Sequence, residues 1–327
     1  MSCSENARLQ TLFRRQATKS ILTRWSDMTD RPHPAPIAAL IAVDWGTTNR
    51  RVYGIAADGG CVHRACDGLG VLSVPTGGFE PEIAALRAKW GGSPMLLAGM
   101  VGSDRGWREV PYLACPADFD ALRRHLVRAD GGDVHIVPGV SFIEHGRGDV
   151  MRGEELQILG AAATGLCPPD AIVCHPGTHA KWARLRGGTM TGFRTVMTGE
   201  LFALLRGQGI LAPQLQGEAE PDADFAAGVA RALRSGDLTA DLFSVRAGAL
   251  LGLRSRDATS HVSGLLIGAD IRTGLDFAGA GDIVLIGEER LTALYAAALA
   301  IAGRKTSIVD GERAFIAGAH ALLEIQP

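Results

Sequence analysis

Leu40-Ile-Ala-Val-Asp-Trp-Gly-Thr-Thr-Asn49 is a short apolar run that ends in an aspartate and a Gly-Thr turn, and the fold is read outward from it. Its outline returns once, as Ala171-Ile-Val-Cys-His-Pro-Gly-Thr-His179. Four or so consecutive apolar residues bounded by turn signals predict a strand buried on both faces. In each copy a second strand follows, Arg51–Ala56 or Lys181–Leu185. A glycine turn comes next, at Asp58-Gly-Gly60 or Gly187-Gly188, and then a third strand, Cys61–Cys66 or Thr189–Val196.

The remaining signals keep the same order. In the first half, helical spacing over Glu80–Trp90 precedes a strand at Met95–Ala98. A helix over Ala117–Arg128, a strand at Val134–Val137 and a helix over Glu154–Ala163 complete it. In the second half, helices over Thr198–Leu205, Phe225–Leu233 and Ala240–Leu253, with helical signal through Leu275, come before a strand at Ile283–Ile286. Helix Leu291–Ala302, strand Ser307–Val309 and helix Arg313–Leu323 close the chain. The predicted fold class is α/β, with two domains of duplicated βββαβαβα pattern facing a central cleft. The first spans 38–166 and the second 167–327. Ligands of such folds bind at strand ends, which here means the cleft.

Bulk composition excludes several other classes. A chain of 327 residues with 46% hydrophobic and 21% charged residues suits two globular domains. The formal net charge of −2 provides no basic field for nucleic acid. Six cysteines without a CxxC pair read as reduced thiols in a reducing, cytoplasmic compartment. No run approaches the roughly 18–20 apolar residues of a membrane helix. Residues 1–37 are polar and end in a proline-rich stretch, so they read as a flexible extension. A homo-oligomer is compatible with all of this and is not specified by it.

Chemistry concentrates at the two turns. Gly46 lets the backbone turn tightly and leaves amides free to face an anion. Thr47, Thr48 and Asn49 add neutral donors, and Asp44 can hold Mg²⁺ through its water shell. An ordinary hairpin with a capping aspartate would look the same locally. Gly177, Thr178 and His179 occupy the matching place in the second half, and Lys181 can supply positive charge to phosphate oxygens. A solvated edge lysine is the plainer reading of Lys181. Zinc on His175 and His179 lacks further ligands nearby in sequence. Neither a Walker A loop nor a GxGxxG fingerprint occurs, so P-loop and Rossmann readings lack their phosphate-binding element.

Five segments then carry a resemblance. Asp44-Trp-Gly-Thr-Thr-Asn49, Gly99-Met-Val-Gly-Ser-Asp-Arg-Gly-Trp107, Met151-Arg-Gly-Glu-Glu155, Pro176-Gly-Thr-His-Ala-Lys-Trp182 and Phe193-Arg-Thr-Val-Met-Thr-Gly-Glu-Leu-Phe202 resemble, in order and spacing, the motif series of 2-dehydro-3-deoxygalactonokinases. Ser263–Ala269 and Phe315–Gly318 continue the likeness. The resemblance implies ribonuclease-H-like, actin-type ATPase domains. It also implies Mg²⁺- and ATP-dependent phosphorylation of a sugar acid, 2-dehydro-3-deoxy-D-galactonate, at its 6-hydroxyl. On the adenosine side, Gly287 is followed by Glu288-Glu289-Arg290, where relatives usually carry a small hydroxyl residue after the glycine.

In related sugar kinases an acidic residue at the start of the helix before the second hairpin accepts the hydroxyl proton. Glu154 and Glu155 both fit, and adjacent helical positions point about 100° apart, so only one is expected to face the cleft. Both would also favour a helix N-terminus without any catalytic role. Gly102, Ser103 and Trp107 are expected on the sugar side. An acidic substrate needs a cationic partner, for which Arg105, Arg108, Arg152 and Arg194 are candidates. Arg152 is preferred because it sits inside a matched motif. Two rivals stand beside this reading: a kinase of the same fold for another keto-deoxy acid or a sugar, and a non-catalytic ATP-driven switch. Acceptor-dependent ADP release separates them.

Overall fold

The structure, a computed structural model, describes residues 38–129, 133–253 and 257–323, which pack as one compact unit. The extension expected at 1–37 lies outside the described residues.

In the first half, β1 (Leu40–Trp45), β2 (Arg50–Ile55) and β3 (Cys61–Asp67) form an antiparallel meander. Then come α1 (Phe79–Trp90), β4 (Met95–Gly99), β5 (Leu113–Ala114), α2 (Phe119–Arg124), β6 (Val127–Arg128) and β7 (Val134–Ile136). A hairpin of β8 (Val140–Glu144) and β9 (Arg147–Met151) leads into α3 (Glu154–Ala163). The second half opens on β10 (Ala171–His175), β11 (Ala180–Arg186) and β12 (Thr189–Val196). It continues through α4 (Thr198–Gly207), α5 (Ala223–Arg234), α6 (Leu238–Leu250) and α7 (Thr259–Ala278), and closes with β13 (Ile283–Gly287), α8 (Glu289–Ile301), β14 (Thr306–Asp310) and α9 (Gly311–Leu323).

The duplication is topological as well as sequential. One sheet runs β3-β2-β1-β4-β7-β6 and the other β12-β11-β10-β13-β14. In both, the first strand pairs antiparallel with the second and parallel with the fourth. Central strands Met95–Gly99 and Ile283–Gly287 are buried along their whole length, as strands covered on both faces must be.

A single core joins the halves. Leu96, Leu156, Ile158, Val173, Ile286 and Phe315 belong to one buried cluster lying between the sheets. Separate clusters cover the outer faces, around Trp45 and Phe79 on one side and Trp182 and Tyr295 on the other. Helices α3 and α9, the last of each repeat, cross at Gly160 and Gly318. A Cβ added to Gly160 would lie 2.6 Å from the Gly318 Cα, so the crossing requires residues without side chains.

Two local expectations are corrected. Helix over Ala117–Arg128 shrinks to Phe119–Arg124, because Asp118 caps it by accepting from the Ala121 amide and Val127–Arg128 instead pair with β7. Sequence reading also missed β8–β9, which with β5 makes a third, three-stranded sheet. This arm is fixed to the edge strand β12: Asp149 accepts from the Thr195 amide at 2.8 Å and from its hydroxyl at 2.5 Å. Gly192 leaves room there for the Phe142 ring.

Candidate active site

The first turn is shaped by its own hydrogen bonds and by a neighbouring segment. The Gly46 amide donates to the Asn49 carbonyl at 2.9 Å, while Val71 and Leu72 donate to the carbonyls of Gly46 and Thr47. Gly70 abuts the Thr48 backbone so closely that any Cβ would fall within 2.4 Å of it. Thr47, Thr48 and Asn49 are left exposed at the tip. Asp44 stands at the base, where it accepts from Arg51 Nη1 at 3.1 Å. Burial raises its pKa against the pull of Arg51, and the charge of Glu154 raises it further.

The second turn is braced by α4. The Glu200 amide donates to the Thr178 carbonyl at 3.0 Å, and the Glu200 carboxylate meets His179 Nε2 at 2.5 Å. Gly199 sits so close to the Gly177 carbonyl that a Cβ would come within 2.6 Å of it. Lys181 pairs across the strands with His175 and is buried. Its Nζ donates to the His179 carbonyl at 2.9 Å and lies 3.0 Å from Glu154 Oε1. A side chain from the second hairpin thus reaches the start of α3.

The two adjacent glutamates differ sharply. Glu154 keeps 22% of its side chain exposed. Burial pushes its pKa up, but Lys181 and then His175 more than offset that, so the carboxyl stays below its usual value. Glu155 is fully buried, and its Oε2 accepts from the Gly153 amide at 2.6 Å while Oε1 has no partner. Burial, reinforced by the neighbouring charge of Glu154, pushes Glu155 up to about 8. One carboxylate is therefore ionised and the other largely protonated at neutral pH.

Two further residues belong here. His175 Nε2 meets Gln157 Oε1 at 3.0 Å, and burial lowers the imidazole's pKa. Gln157 lies three residues beyond Glu154, on the same face of α3. That spacing was the available signal, and sequence reading did not use it. No group of His, Cys, Asp and Glu among the described residues forms a metal cage.

Gly102, Ser103, Trp107 and Arg152 lie on the first half's side. The Ser103 hydroxyl donates to the Met100 carbonyl at 2.8 Å, and Trp107 Nε1 donates to Glu80 at 2.9 Å; both hold their own loop in shape. Arg152 stacks on Tyr112 and donates through Nη2 to the Val110 carbonyl at 2.8 Å. Its Nε and Nη1 are buried without partners, with Nη1 tucked over Gly102, where a Cβ would lie 2.9 Å away.

Behind the second hairpin opens a cavity of about 300 Å³, lined by Gly177, Phe202, Ser263, Leu266 and Leu294 and rimmed by Arg206, Glu218 and Arg290. Buried Asp270 anchors its wall by accepting from Trp182, Thr198 and Tyr295. Gly287 is buried against Pro176 and does not line the cavity; Glu288, which follows it, does. Glu288 also caps α8, accepting from the amides of Arg290 and Leu291, and so does the work of a small hydroxyl residue at that position. A larger cavity of about 670 Å³, beside α6 and α7, holds none of these groups.

Paired sheets that share a five-strand order, a glycine hairpin after the first strand of each, and a carboxylate–lysine pair joining the two halves are the arrangement of a phosphotransferase of the actin-type ATPase fold. The family model described as 2-keto-3-deoxy-galactonokinase matches residues 44–322, and the chain belongs to that family. The 2-dehydro-3-deoxygalactonokinase of Escherichia coli (strain K12) is 35% identical over 289 residues, covering 87% of this chain and 97% of the relative. DgoK1 of Rhizobium meliloti (strain 1021), described with the same activity, is 38% identical over 296 residues, with 86% and 95% covered. The crystal structure of a Sinorhizobium meliloti protein described likewise superposes with a TM-score of 0.81 at 35% identity, covering 86% of this chain and 97% of that one. Component A of the Acidaminococcus fermentans (R)-2-hydroxyglutaryl-CoA dehydratase, 14% identical with a TM-score of 0.50, shares the fold.

Proposed function

We propose that the chain transfers the γ-phosphoryl group of ATP to the 6-hydroxyl of 2-dehydro-3-deoxy-D-galactonate, with Glu154 as the base. The observation that carries this reading is the 3.0 Å pair between Glu154 and Lys181, one from each half, whose lysine also donates to the His179 carbonyl of the second glycine hairpin.

Residues 38–166 form the sugar-acid side and 167–327 the nucleotide side. The triphosphate lies between the hairpin of Gly46, Thr47, Thr48 and Asn49 and that of Gly177, Thr178 and His179. The Gly46 amide closes its own turn on the Asn49 carbonyl, and the other amides and the threonine hydroxyls meet the phosphate oxygens. The base enters the cavity behind Gly177, while Gly287 packs on Pro176 and so supports the hairpin. Lys181 reaches both Glu154 and the hairpin carbonyl of His179, which supports a role in which its charge meets a phosphoryl oxygen that becomes more negative in the transition state.

Glu154, ionised and steered by Lys181, takes the hydroxyl proton as the new O–P bond forms. Glu155 is unsuited to that task, because it is sealed from solvent and largely protonated. Asp44 suits Mg²⁺: it is a hard oxygen donor whose burial and proximity to the charge of Glu154 disfavour its anion until a cation arrives. When bound, Mg²⁺ supplies charge neutralisation for the phosphates. No helix among the described residues is long and apolar enough to cross a membrane, and a cytoplasmic catabolic role accords with the substrates.

The test is ADP release from Mg·ATP with and without 2-dehydro-3-deoxy-D-galactonate, with the product's phosphate position read by ³¹P NMR. The expected result is acceptor-dependent turnover yielding the 6-phosphate. ADP release indifferent to every sugar acid would overturn the reading in favour of an ATP-driven switch.

A further inference from the structure

The proposed acceptor is an anion, and the cations described so far beside the two hairpins are engaged by carboxylates, Arg51 by Asp44 and Lys181 by Glu154. Arg152, the residue favoured from sequence, already gives Nη2 to the Val110 carbonyl, and its remaining donors are shut away from solvent. Arg194 stacks on Phe277 and pairs with Glu144, beside the β8–β9 arm. Arg108 has interactions of its own.

Arg105 differs from all three. It lies in the tightly wound loop after β4, where the Ser103 hydroxyl accepts from the Arg105 amide at 3.2 Å and the Trp107 amide donates to the Val101 carbonyl at 2.8 Å. Gly106 packs onto the same carbonyl, where a Cβ would come within 2.2 Å. These contacts fix the Arg105 backbone, yet its guanidinium makes no hydrogen bond or ion pair among the described residues. It lines a cavity of about 330 Å³ with Thr47, Val71, Leu72, Met100 and Asp104, and it is the one cation in that lining. Ligand sites of about 300–1,000 Å³ take small molecules.

The cavity stands where an acceptor belongs. Thr47 comes from the first phosphate hairpin. The loop begins at Gly99, whose Cα lies 3.3 Å from where a Cβ of Gly153 would stand, immediately before Glu154. One wall is therefore part of the first glycine hairpin, and the loop that carries Arg105 starts beside Gly153, the residue before the proposed base.

We propose that Arg105 reads the carboxylate of the acceptor and makes this kinase select a sugar acid over a neutral sugar. This rests on the phosphotransfer reading given above and deepens it. A planar guanidinium pairs with a carboxylate through two parallel hydrogen bonds, whereas an amide or alcohol at the same carbon cannot replace that charge. Asp104, in the same lining, can accept from the acceptor's hydroxyls.

The test compares kcat and KM for 2-dehydro-3-deoxy-D-galactonate and for its C1 amide in the wild type, Arg105→Ala, Arg105→Lys and Arg152→Ala. Arg105→Ala should raise KM for the acid about 10–100-fold with kcat little changed, the range expected for hydrogen bonds to a charged group. It should leave the amide nearly unaffected, so the acid-over-amide preference collapses, and Arg105→Lys should recover part of it. Melting temperatures should match, since the side chain is exposed and makes no hydrogen bond or ion pair among the described residues. A preference unchanged in Arg105→Ala, or one lost in Arg152→Ala instead, overturns the proposal while leaving the kinase reading intact. Conversely, a wild type that ignores this acid but turns over another, with the same dependence on Arg105, overturns only the choice of substrate. Turnover of neutral sugars alone sinks both.

Discussion

Glu154 Oε1 and Lys181 Nζ lie 3.0 Å apart, although one residue opens the last helix of the first repeat and the other sits in the second strand of the second repeat. The pair ties the proposed base to the second glycine hairpin, whose His179 carbonyl also accepts from Lys181. Replacing Glu154 by Gln removes the proton acceptor and should lower kcat by about 10²–10⁴-fold, the usual worth of general-base assistance, with ATP affinity little changed. Glu155→Gln should cost far less. Steady-state rates and nucleotide binding for both variants check this; an inactive Glu155→Gln beside a near-normal Glu154→Gln would move the base by one residue.

Glu155 makes stability depend on pH. Its folded value of about 8 stands above the ordinary 4.5, so the folded state holds a proton that the unfolded chain releases. That contribution is complete below about pH 4.5, shrinks as pH rises, and is gone above about pH 8. Glu155→Gln keeps the neutral shape and removes the titration. Thermal melts across this range should show a shallower alkaline decline in the variant, which should be at least as stable as wild type at the alkaline end. Parallel curves for the two proteins would refute it.

Activity should respond to acid through Glu154 instead. Its carboxyl is held below the usual range by Lys181 and His175, which together outweigh burial, so it stays ionised through neutral pH. The acid limb of kcat/KM should therefore fall at or below ordinary carboxylate values, and Lys181→Met should move that limb upward while lowering kcat. A limb that ignores Lys181 would assign it to another group.

Asp44→Asn keeps the size of the side chain and removes the charge that suits Mg²⁺. The variant should require much higher Mg²⁺ for turnover and lose most activity at ordinary concentrations, with an unchanged melting temperature. Titrating Mg²⁺ against rate is the measurement, and a wild-type midpoint would take Asp44 out of the metal site.

Gly160→Ala places a Cβ 2.6 Å from the Gly318 Cα, where backbone rather than a flexible side chain must yield. Overpacking of this kind costs about 1–3 kcal/mol, more than the roughly 1 kcal/mol that alanine gains over glycine in a helix. A lower denaturation midpoint is expected, and Gly318→Ala should behave alike. Stabilisation by either change would mean the crossing can open at little cost.

Much of the fold was determined by the sequence alone, because its signals are local. Apolar runs such as Leu40–Trp45 and Ile283–Gly287, and the glycine turns after β1 and β10, specify strands and tight reversals without help from distant residues. The repeated order then implies two equivalent sheets, and the motif at Gly153-Glu154-Glu155 narrows the base to two neighbours. Tertiary structure sets them apart: Glu154 meets Lys181 from the other half, while Glu155 is sealed in the core, and neither burial nor a partner 27 positions away is written in local pattern. The β8–β9 arm was invisible for the same reason, since it is held by Asp149 bonding Thr195 across the halves and not by a strong apolar alternation of its own. His175 and Gln157 meet only because β10 ends beside α3, and Arg105 differs from Arg152 only in which of them the packing has left a free guanidinium. Local propensity sets the elements, but the solvent access and partners that decide a side chain's chemistry exist only once the two halves have packed together.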